Sequence, residues 1–134
     1  MRAVLDVNVL VSALLSRDGA PARILGEWIT GGFDLIVSPM LLDELNRVLG
    51  YTKIRTRVAA EDARELLELL ALWAVVADDP EIASPRTTDP KDDYLLALSR
   101  EQRAVLVTGD NGLLRLKEAR PVYSPRDFLR LLEE

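Results

Sequence analysis

The residues of this sequence that are best suited to form a reactive site are carboxylates. Each follows an apolar, strand-like run, lies in a helical stretch or opens one. Carboxylates that converge repel one another and raise one another's pKa unless a cation neutralises them. Such sets favour hard cations such as Mg²⁺ or Mn²⁺, and hydrolysis of a phosphodiester is the commonest use of the resulting site. The candidate acids are Asp6, Glu44, Asp89, Asp92, Asp93 and Asp110.

The composition also favours a site built from carboxylates. The chain of 134 residues contains no cysteine and no histidine, and its formal net charge is −5. These absences exclude a disulfide framework, a thiolate nucleophile, a Ser-His-Asp triad and a histidine-ligated metal. The acidic balance opposes nonspecific binding of polyanions, so a role with nucleic acid requires a metal or a local basic patch.

Short β-like runs alternate with amphipathic stretches along the whole chain. With 49% hydrophobic residues, the length predicts a single folded domain over residues 1–134. Residues 51–58 are expected to form a short helix or loop, and residues 78–88 a polar loop. Strands are predicted at residues 3–6, 35–37, 74–77, 104–108 and 121–123, with helices at 8–15, 21–29, 39–49, 61–73, 90–101 and from 125 onward.

This alternation predicts an α/β fold with a parallel sheet that helices cover on both faces. Sites in such sheets form outside the carboxyl ends of the strands, which would bring the candidate acids to one edge. No apolar run is long enough to span a bilayer, and Asp6 and Asn8 interrupt the N-terminal apolar stretch. We therefore expect a cytoplasmic protein without a membrane segment.

Each candidate polar residue also has an ordinary structural alternative. Asp6 could simply end its strand or cap the next helix, although the other acids favour a functional role. Asn8 could be a helix N-cap or could orient Asp6, and the sequence favours neither. Glu44 flanks an apolar helical arc, where it could face a cleft or be a boundary glutamate.

The acids Asp89, Asp92 and Asp93 suit the start of a helix, where they complement its dipole. Three acids in one turn exceed what capping requires, so at least one is predicted to be a ligand, and spacing does not say which. Asp110 could be only a turn residue in Gly-Asp-Asn-Gly, but the buried strand before it favours the site.

A basic segment follows the second predicted strand and its helix. Lys53, Arg55 and Arg57 are either a solvated face or possible RNA contacts, the latter only if the metal site is real. Trp28 and Trp73 both lie on apolar helical faces and are predicted to be core residues.

Four segments resemble the acidic motifs of the PIN domain family. They are LDVNVLVSALL, SPMLLDELNRVL, DPKDDYLLAL and VLVTGDNGLL, and they occur in the family's order over nearly the whole chain. The likeness is greatest to the branch of toxins from toxin–antitoxin systems related to VapC-type ribonucleases. The resemblance implies a three-layer α/β/α sandwich with a central, mostly parallel sheet.

The resemblance also implies cleavage of single-stranded RNA with Mg²⁺ or Mn²⁺. It implies an antitoxin partner, and homodimers are usual in the family. Gly112 stands where many relatives carry a further acid, which leaves a second metal in question. The implied catalytic and metal-binding residues are Asp6, Glu44, Asp92 or Asp93, and Asp110, with Asn8 and Thr108 as the polar residues that hold them.

Other functions compete with this interpretation. A phosphatase of the haloacid dehalogenase type requires a second Asp two residues after the first, where this chain has Asn8. A response-regulator receiver requires an Asp after a central strand, and the sequence offers none there. A non-catalytic interaction domain that keeps an acidic, metal-binding edge is the remaining alternative.

Overall fold

A computed structural model describes residues 1–82, 89–116 and 121–134. The strands in these ranges are β1 (Arg2–Leu5), β2 (Asp34–Val37), β3 (Val75–Val76), β4 (Val105–Val107) and β5 (Val122–Tyr123). The helices are α1 (Val7–Leu15), α2 (Ala20–Ile29), α3 (Pro39–Leu49), α4 (Thr52–Arg55), α5 (Ala60–Trp73), α6 (Pro90–Glu101), α7 (Asn111–Leu114) and α8 (Pro125–Glu133). The sequence did not predict α7, and the predicted loop at residues 78–88 lies partly outside the described residues.

The five strands form one sheet in the order β3-β2-β1-β4-β5, and all neighbours are parallel. This confirms the predicted α/β/α fold. The chain moves outward from β1 to β2 and β3, then crosses back to β4 and continues to β5. Crossovers between parallel strands are right-handed as a rule, which puts the crossover helices of the two halves on opposite faces. The strand order therefore reverses between β1 and β4, and such reversal points are where α/β sheets form their sites. Helix α8, which follows the last strand, packs against α2.

The pairing of β1 with β4 fixes what lies at that reversal point. Leu5 is in register with Val107, so the next residues, Asp6 and Thr108, leave the sheet side by side. The backbone N–H of Asp6 continues the ladder by donating to the carbonyl of Val107 at 2.9 Å. The first candidate acid is thus positioned by the pairing of the central strand β1 with β4.

Buried apolar strands form the centre of the core. β1 and β4 contribute Val4 and Leu106, which are essentially inaccessible to solvent. Phe33, before β2, packs edge-to-face against Phe128 of α8 with ring centroids 5.2 Å apart. This aromatic pair ties the last helix to the sheet.

The start of α3 is capped by a residue distant in sequence. Ser38 occupies the N-cap position as predicted, but its hydroxyl is bonded to the hydroxyl of Tyr94 and does not cap the helix. The carboxylate of Asp79 instead accepts a bond from the backbone N–H of Met40 at 3.0 Å. Tyr94 donates to the same carboxylate oxygen at 2.9 Å. Asp79 therefore joins the residues after β3 to α3 and α6.

Trp73 is 74% exposed, so its predicted place in the core is wrong, whereas Trp28 is buried as expected. The helical spacing was correct, because Leu66 and Leu70 on the same arc of α5 are buried. Trp73 is the last residue of α5, and the chain passes directly into β3, the strand at one end of the sheet. Helical periodicity identifies a face but does not show whether an element covers its end.

We expect Asp79→Ala to lower the free energy of unfolding by about 1–3 kcal/mol, because α3 loses its cap and Tyr94 loses its acceptor. Chemical denaturation measures this change. Asp78→Ala is the matched control, since Asp78 is exposed and adjacent. Equal losses in the two variants would contradict the capping role of Asp79.

Candidate active site

Asp6 lies at the carboxyl end of β1 and caps the N-terminus of α1. The Thr108 hydroxyl donates to Oδ2 of Asp6 at 2.8 Å, and the backbone N–H of Asn8 donates weakly to Oδ1 at 3.4 Å. Burial raises the pKa of the Asp6 carboxyl, and the hydrogen bond from Thr108 opposes that rise. Asp110 adds a smaller upward contribution. The carboxylate is therefore fixed in orientation and poorly hydrated.

Thr108 connects Asp6 to the next candidate acid. Its side chain is fully buried, and its hydroxyl oxygen also accepts a bond from the backbone N–H of Asp110 at 3.0 Å. The carboxylate of Asp110 accepts from the N–H of Gly112 at 2.7 Å and so caps α7. Asp110 therefore caps the turn into α7 and is also linked to Asp6 through Thr108, so its two predicted positions are compatible.

The start of α6 brings further acids toward this point. Asp89 caps the helix by accepting from the backbone N–H of Lys91 at 2.9 Å. Asp93 is buried, with 7% of its surface exposed, whereas Asp92 is partly exposed. The pKa of Asp92 is raised to about 6, first by burial and then by the carboxylates of Asp110, Asp89, Asp6 and Asp93. Asp92 thus lies in the electric field of the other acids, as the sequence predicted for this turn.

Glu44 has a different environment. Lys91 donates to its Oε1 at 2.8 Å, and Arg47 binds its other oxygen. These hydrogen bonds, that of Lys91 first, lower the pKa of Glu44. The sequence missed both partners, although the spacing of Glu44 and Arg47 by three residues on one helix was a usable signal.

A cleft of about 560 Å³ joins Asp6 to Glu44. Its walls come from α1, α3, α4 and the start of α6. Of the predicted RNA contacts, Lys53 lines it, whereas Arg55 and Arg57 are exposed and lie outside the lining. The polar and aromatic lining comprises Asp6, Asn8, Ser12, Glu44, Tyr51, Lys53, Lys91 and Tyr94.

In the described ranges, no three carboxylates are arranged closely enough to form a metal site as they stand. The donor set nevertheless suits a hard cation, because Asp6 and Asp92 both have raised pKa values to which Asp110 contributes. A divalent ion is the species that removes such repulsion between carboxylates.

The raised pKa of Asp92 predicts how the metal-free protein responds to pH. A carboxyl that binds its proton more tightly when folded stabilises the fold below its unfolded pKa, and this contribution is lost as pH rises through about 6. Near neutral pH, Asp92→Asn should therefore raise the melting temperature by about 2–5 °C, an estimate reduced for solvent exposure. Calorimetry in a chelator measures this difference.

The gain from Asp92→Asn should shrink as the pH is lowered to about 4, where Asp92 is protonated in the folded protein. Asp43→Asn is the matched control, because Asp43 is an exposed acid on α3. A gain that does not change with pH, or an equal gain for Asp43→Asn, would refute the electrostatic explanation.

Comparison with known proteins identifies relatives of the whole chain. The uncharacterized protein MJ1680 of Methanocaldococcus jannaschii is 25% identical over 149 aligned positions, which cover 100% of this chain and 93% of that protein. Among solved structures, PAE2754 from Pyrobaculum aerophilum superposes with a TM-score of 0.69 at 19% identity, over 99% of this chain and 90% of that one.

Two further solved structures share the fold. VapBC2 from Rickettsia felis, solved bound to a DNA fragment from its promoter, has a TM-score of 0.61 at 14% identity, covering 92% of this chain and 97% of that one. A domain of a functionally unknown protein from M. jannaschii has a TM-score of 0.56 at 16% identity, covering 92% and 88%. The sequence of residues 2–112 matches the PIN domain family. With this match across the strands and acids described above, the chain belongs to the PIN domain family.

Proposed function

We propose that this chain is a metal-dependent endoribonuclease that hydrolyses phosphodiester bonds in single-stranded RNA, and that it is the toxin of a toxin–antitoxin pair. PIN domains are generally nucleases, which supports the reaction class. The observation that carries the proposal is the Thr108 hydroxyl, which joins Asp6 to Asp110 at the reversal of the strand order.

The residues at this point fit Mg²⁺ or Mn²⁺, since the donors are carboxylate oxygens and the sequence contains no cysteine or histidine. We assign the ion to Asp6, Asp110 and the Asp92–Asp93 pair. A bound divalent ion supplies positive charge and Lewis acidity at the phosphate. Thr108 keeps Asp6 oriented by donating its proton to Oδ2, which leaves Oδ1 directed toward the start of α1.

Glu44 lies at the margin of this proposed ion site. It can become a ligand only by exchanging its contacts with Lys91 and Arg47, which neutralise it in this structure. Asn8 is proposed to support Asp6 from the first turn of α1, through the bond from its backbone N–H.

We expect Asp6→Asn to reduce cleavage of a short single-stranded RNA in Mn²⁺ on the order of a hundredfold or more, because it removes a buried ligand charge. Thr108→Val keeps the shape of the side chain but removes both hydroxyl bonds, and should reduce cleavage by about 10- to 100-fold. Gel electrophoresis of end-labelled RNA measures both rates.

Asp78→Asn is the matched control and should cleave at the wild-type rate, because Asp78 is exposed and follows the edge strand. Mn²⁺ should also raise the melting temperature of the wild type and raise that of Asp6→Asn less. Full cleavage by Asp6→Asn would refute the proposal. If Mn²⁺ raises the melting temperature of the wild type but the wild type does not cleave RNA, the result would instead support a non-catalytic domain with an acidic edge.

The proposal includes a protein antitoxin, because the chain is proposed to be a toxin of a toxin–antitoxin pair. It also includes a cytoplasmic location, because the substrate is RNA. No helix in the described part of the chain is long and apolar enough to cross a membrane. A small open reading frame directly upstream of the gene would support the antitoxin, and its absence would favour a role in RNA processing.

We also propose a homodimer in which a second copy covers the apolar edge of the sheet. This edge patch consists of Leu72, Trp73, Val75 and Val76, all exposed, at the end of α5 and on the terminal strand β3. Exposed apolar groups of this size on a strand edge are typical of contact surfaces.

Trp73→Ser should therefore shift the protein from dimer toward monomer, because Trp73 contributes the largest exposed ring to the edge patch. Light scattering coupled to size-exclusion chromatography at several concentrations measures the mass. Ile29→Ser, at an exposed apolar position on α2, is the matched control and should leave the mass unchanged. A wild type that is monomeric at all concentrations would contradict the homodimer.

A further inference from the structure

Two cations are bound to Glu44, a carboxylate in the wall of the cleft, and one of them, Lys91, lines the cleft itself. Lys91 and Arg47 are held on the same carboxylate, Glu44, and their side chains remain 66% and 57% exposed. A lysine ammonium carries three N–H donors and a guanidinium five, so contacts to one carboxylate leave donors directed at solvent. With two positive charges on one negative charge, the group has a net charge of about +1.

An aromatic ring lies beside these cations. Tyr51, between α3 and α4, lines the cleft and is 42% exposed. Hydrogen bonds to Glu44 raise the pKa of Arg47 and of Lys91, and the nearby phenol of Tyr51 adds to both increases. Tyr51 also lines the same cleft as Lys91 and as Glu44, the carboxylate that holds both cations.

Much of the rest of the cleft lining is apolar. Val11, Leu15, Leu41, Val48 and Ile54 line it, with Lys53 at the side of α4. Its volume of about 560 Å³ lies within the range of pockets that hold small organic molecules. A flat, mostly apolar base with an attached phosphate matches this combination of an apolar lining and adjoining cations.

We propose that the cleft is a nucleotide subsite in which an unpaired base stacks on Tyr51 and the adjoining backbone phosphate binds Lys91 and Arg47. The inference rests on the proposed ribonuclease function and specifies its substrate: the base next to the cleaved phosphate must be unpaired. Glu44 is then a positioning residue that holds the two cations.

Charge and geometry favour RNA over an apolar peptide as the occupant. The chain has a formal net charge of −5, so a polyanion needs local cations to approach the acids. Lys91 and Lys53 in the cleft lining, with Arg47 bonded to Glu44 in its wall, supply them. Duplex RNA keeps its bases stacked inside the helix, whereas single strands can present a base to an aromatic ring.

The test measures binding of a short, fluorescein-labelled single-stranded RNA of mixed sequence by fluorescence anisotropy, with the full chain in a chelator. Tyr51→Ala should weaken binding by roughly 5- to 100-fold, whereas Tyr51→Phe keeps the ring and should bind within about twofold of the wild type. Lys91→Ala should weaken binding by about 3- to 10-fold and reduce the slope of log affinity against log salt by about 0.7.

Arg100→Ala is the matched charge control, because Arg100 is an exposed cation at the opposite end of the same helix, α6. It should leave both the affinity and the salt slope near the wild-type values. Melting temperatures show whether each variant is folded. A blunt duplex of the same labelled strand with its full complement should show no dependence on Tyr51.

The inference is overturned if Tyr51→Ala and Lys91→Ala bind the single strand as Arg100→Ala does, an outcome that would leave the cleft to an apolar partner segment. Because binding is measured without divalent ions, its outcome is separate from that of cleavage. Cleavage by the wild type with binding independent of Tyr51 would refute only the subsite. Binding that depends on Tyr51 without any cleavage would support the subsite and refute the ribonuclease.

Discussion

The hydroxyl of Thr108 is the group on which the candidate site depends. It donates to the carboxylate of Asp6 and accepts from the backbone of Asp110, so one buried oxygen fixes two acids from different parts of the chain. This is possible only because β1 and β4 are neighbours in register. If the strand order were different, Thr108 and Asp6 would leave the sheet at separate places and the acids would not converge.

The two ends of the cleft shift the pKa values of their carboxyl groups in opposite directions. At the Asp6 end, burial and neighbouring acids raise the pKa of Asp6 and Asp92, which makes ionisation costly. At the other end, Lys91 and Arg47 lower the pKa of Glu44, which makes its charge favourable. One end therefore has unbalanced negative charge that a cation would relieve, while the other has exposed cations that an anion would relieve. Under the proposed function, a divalent ion held by Asp6, Asp110 and the Asp92–Asp93 pair would relieve the first, and an RNA phosphate would relieve the second.

The fold could be predicted from the sequence because its signals are local. The apolar runs and the proline and serine residues at helix starts identified the five strands and most helices, and alternation of the elements then required a parallel sheet. Asp6 and Asp110 were found because strand ends are visible in sequence. The short α7 was missed because its cap, Asp110, also reads as a turn residue.

Contacts between segments that are distant along the chain could not be predicted from the sequence. The pairing of Lys91 with Glu44 and the capping of α3 by Asp79 depend on how α3 and α6 pack, which periodicity does not encode. Trp73 shows the same limit, since its exposure is decided by the position of β3 at the sheet edge. The basic segment was identified, but only the structure distinguishes Lys53 in the cleft from Arg55 and Arg57 outside it.

The bond between Thr108 and Asp6 also bears on synthesis of the chain, because the two residues are 102 positions apart. A ribosome must synthesise the chain past residue 108 before β4 can pair with β1 and bring Thr108 to Asp6. Contacts of such long range form late, since loop closure must precede them. An incomplete chain on the ribosome therefore carries the separate acids but not their assembled arrangement. Under the proposed function, cleavage activity would therefore arise only after β4 has been synthesised and has paired with β1.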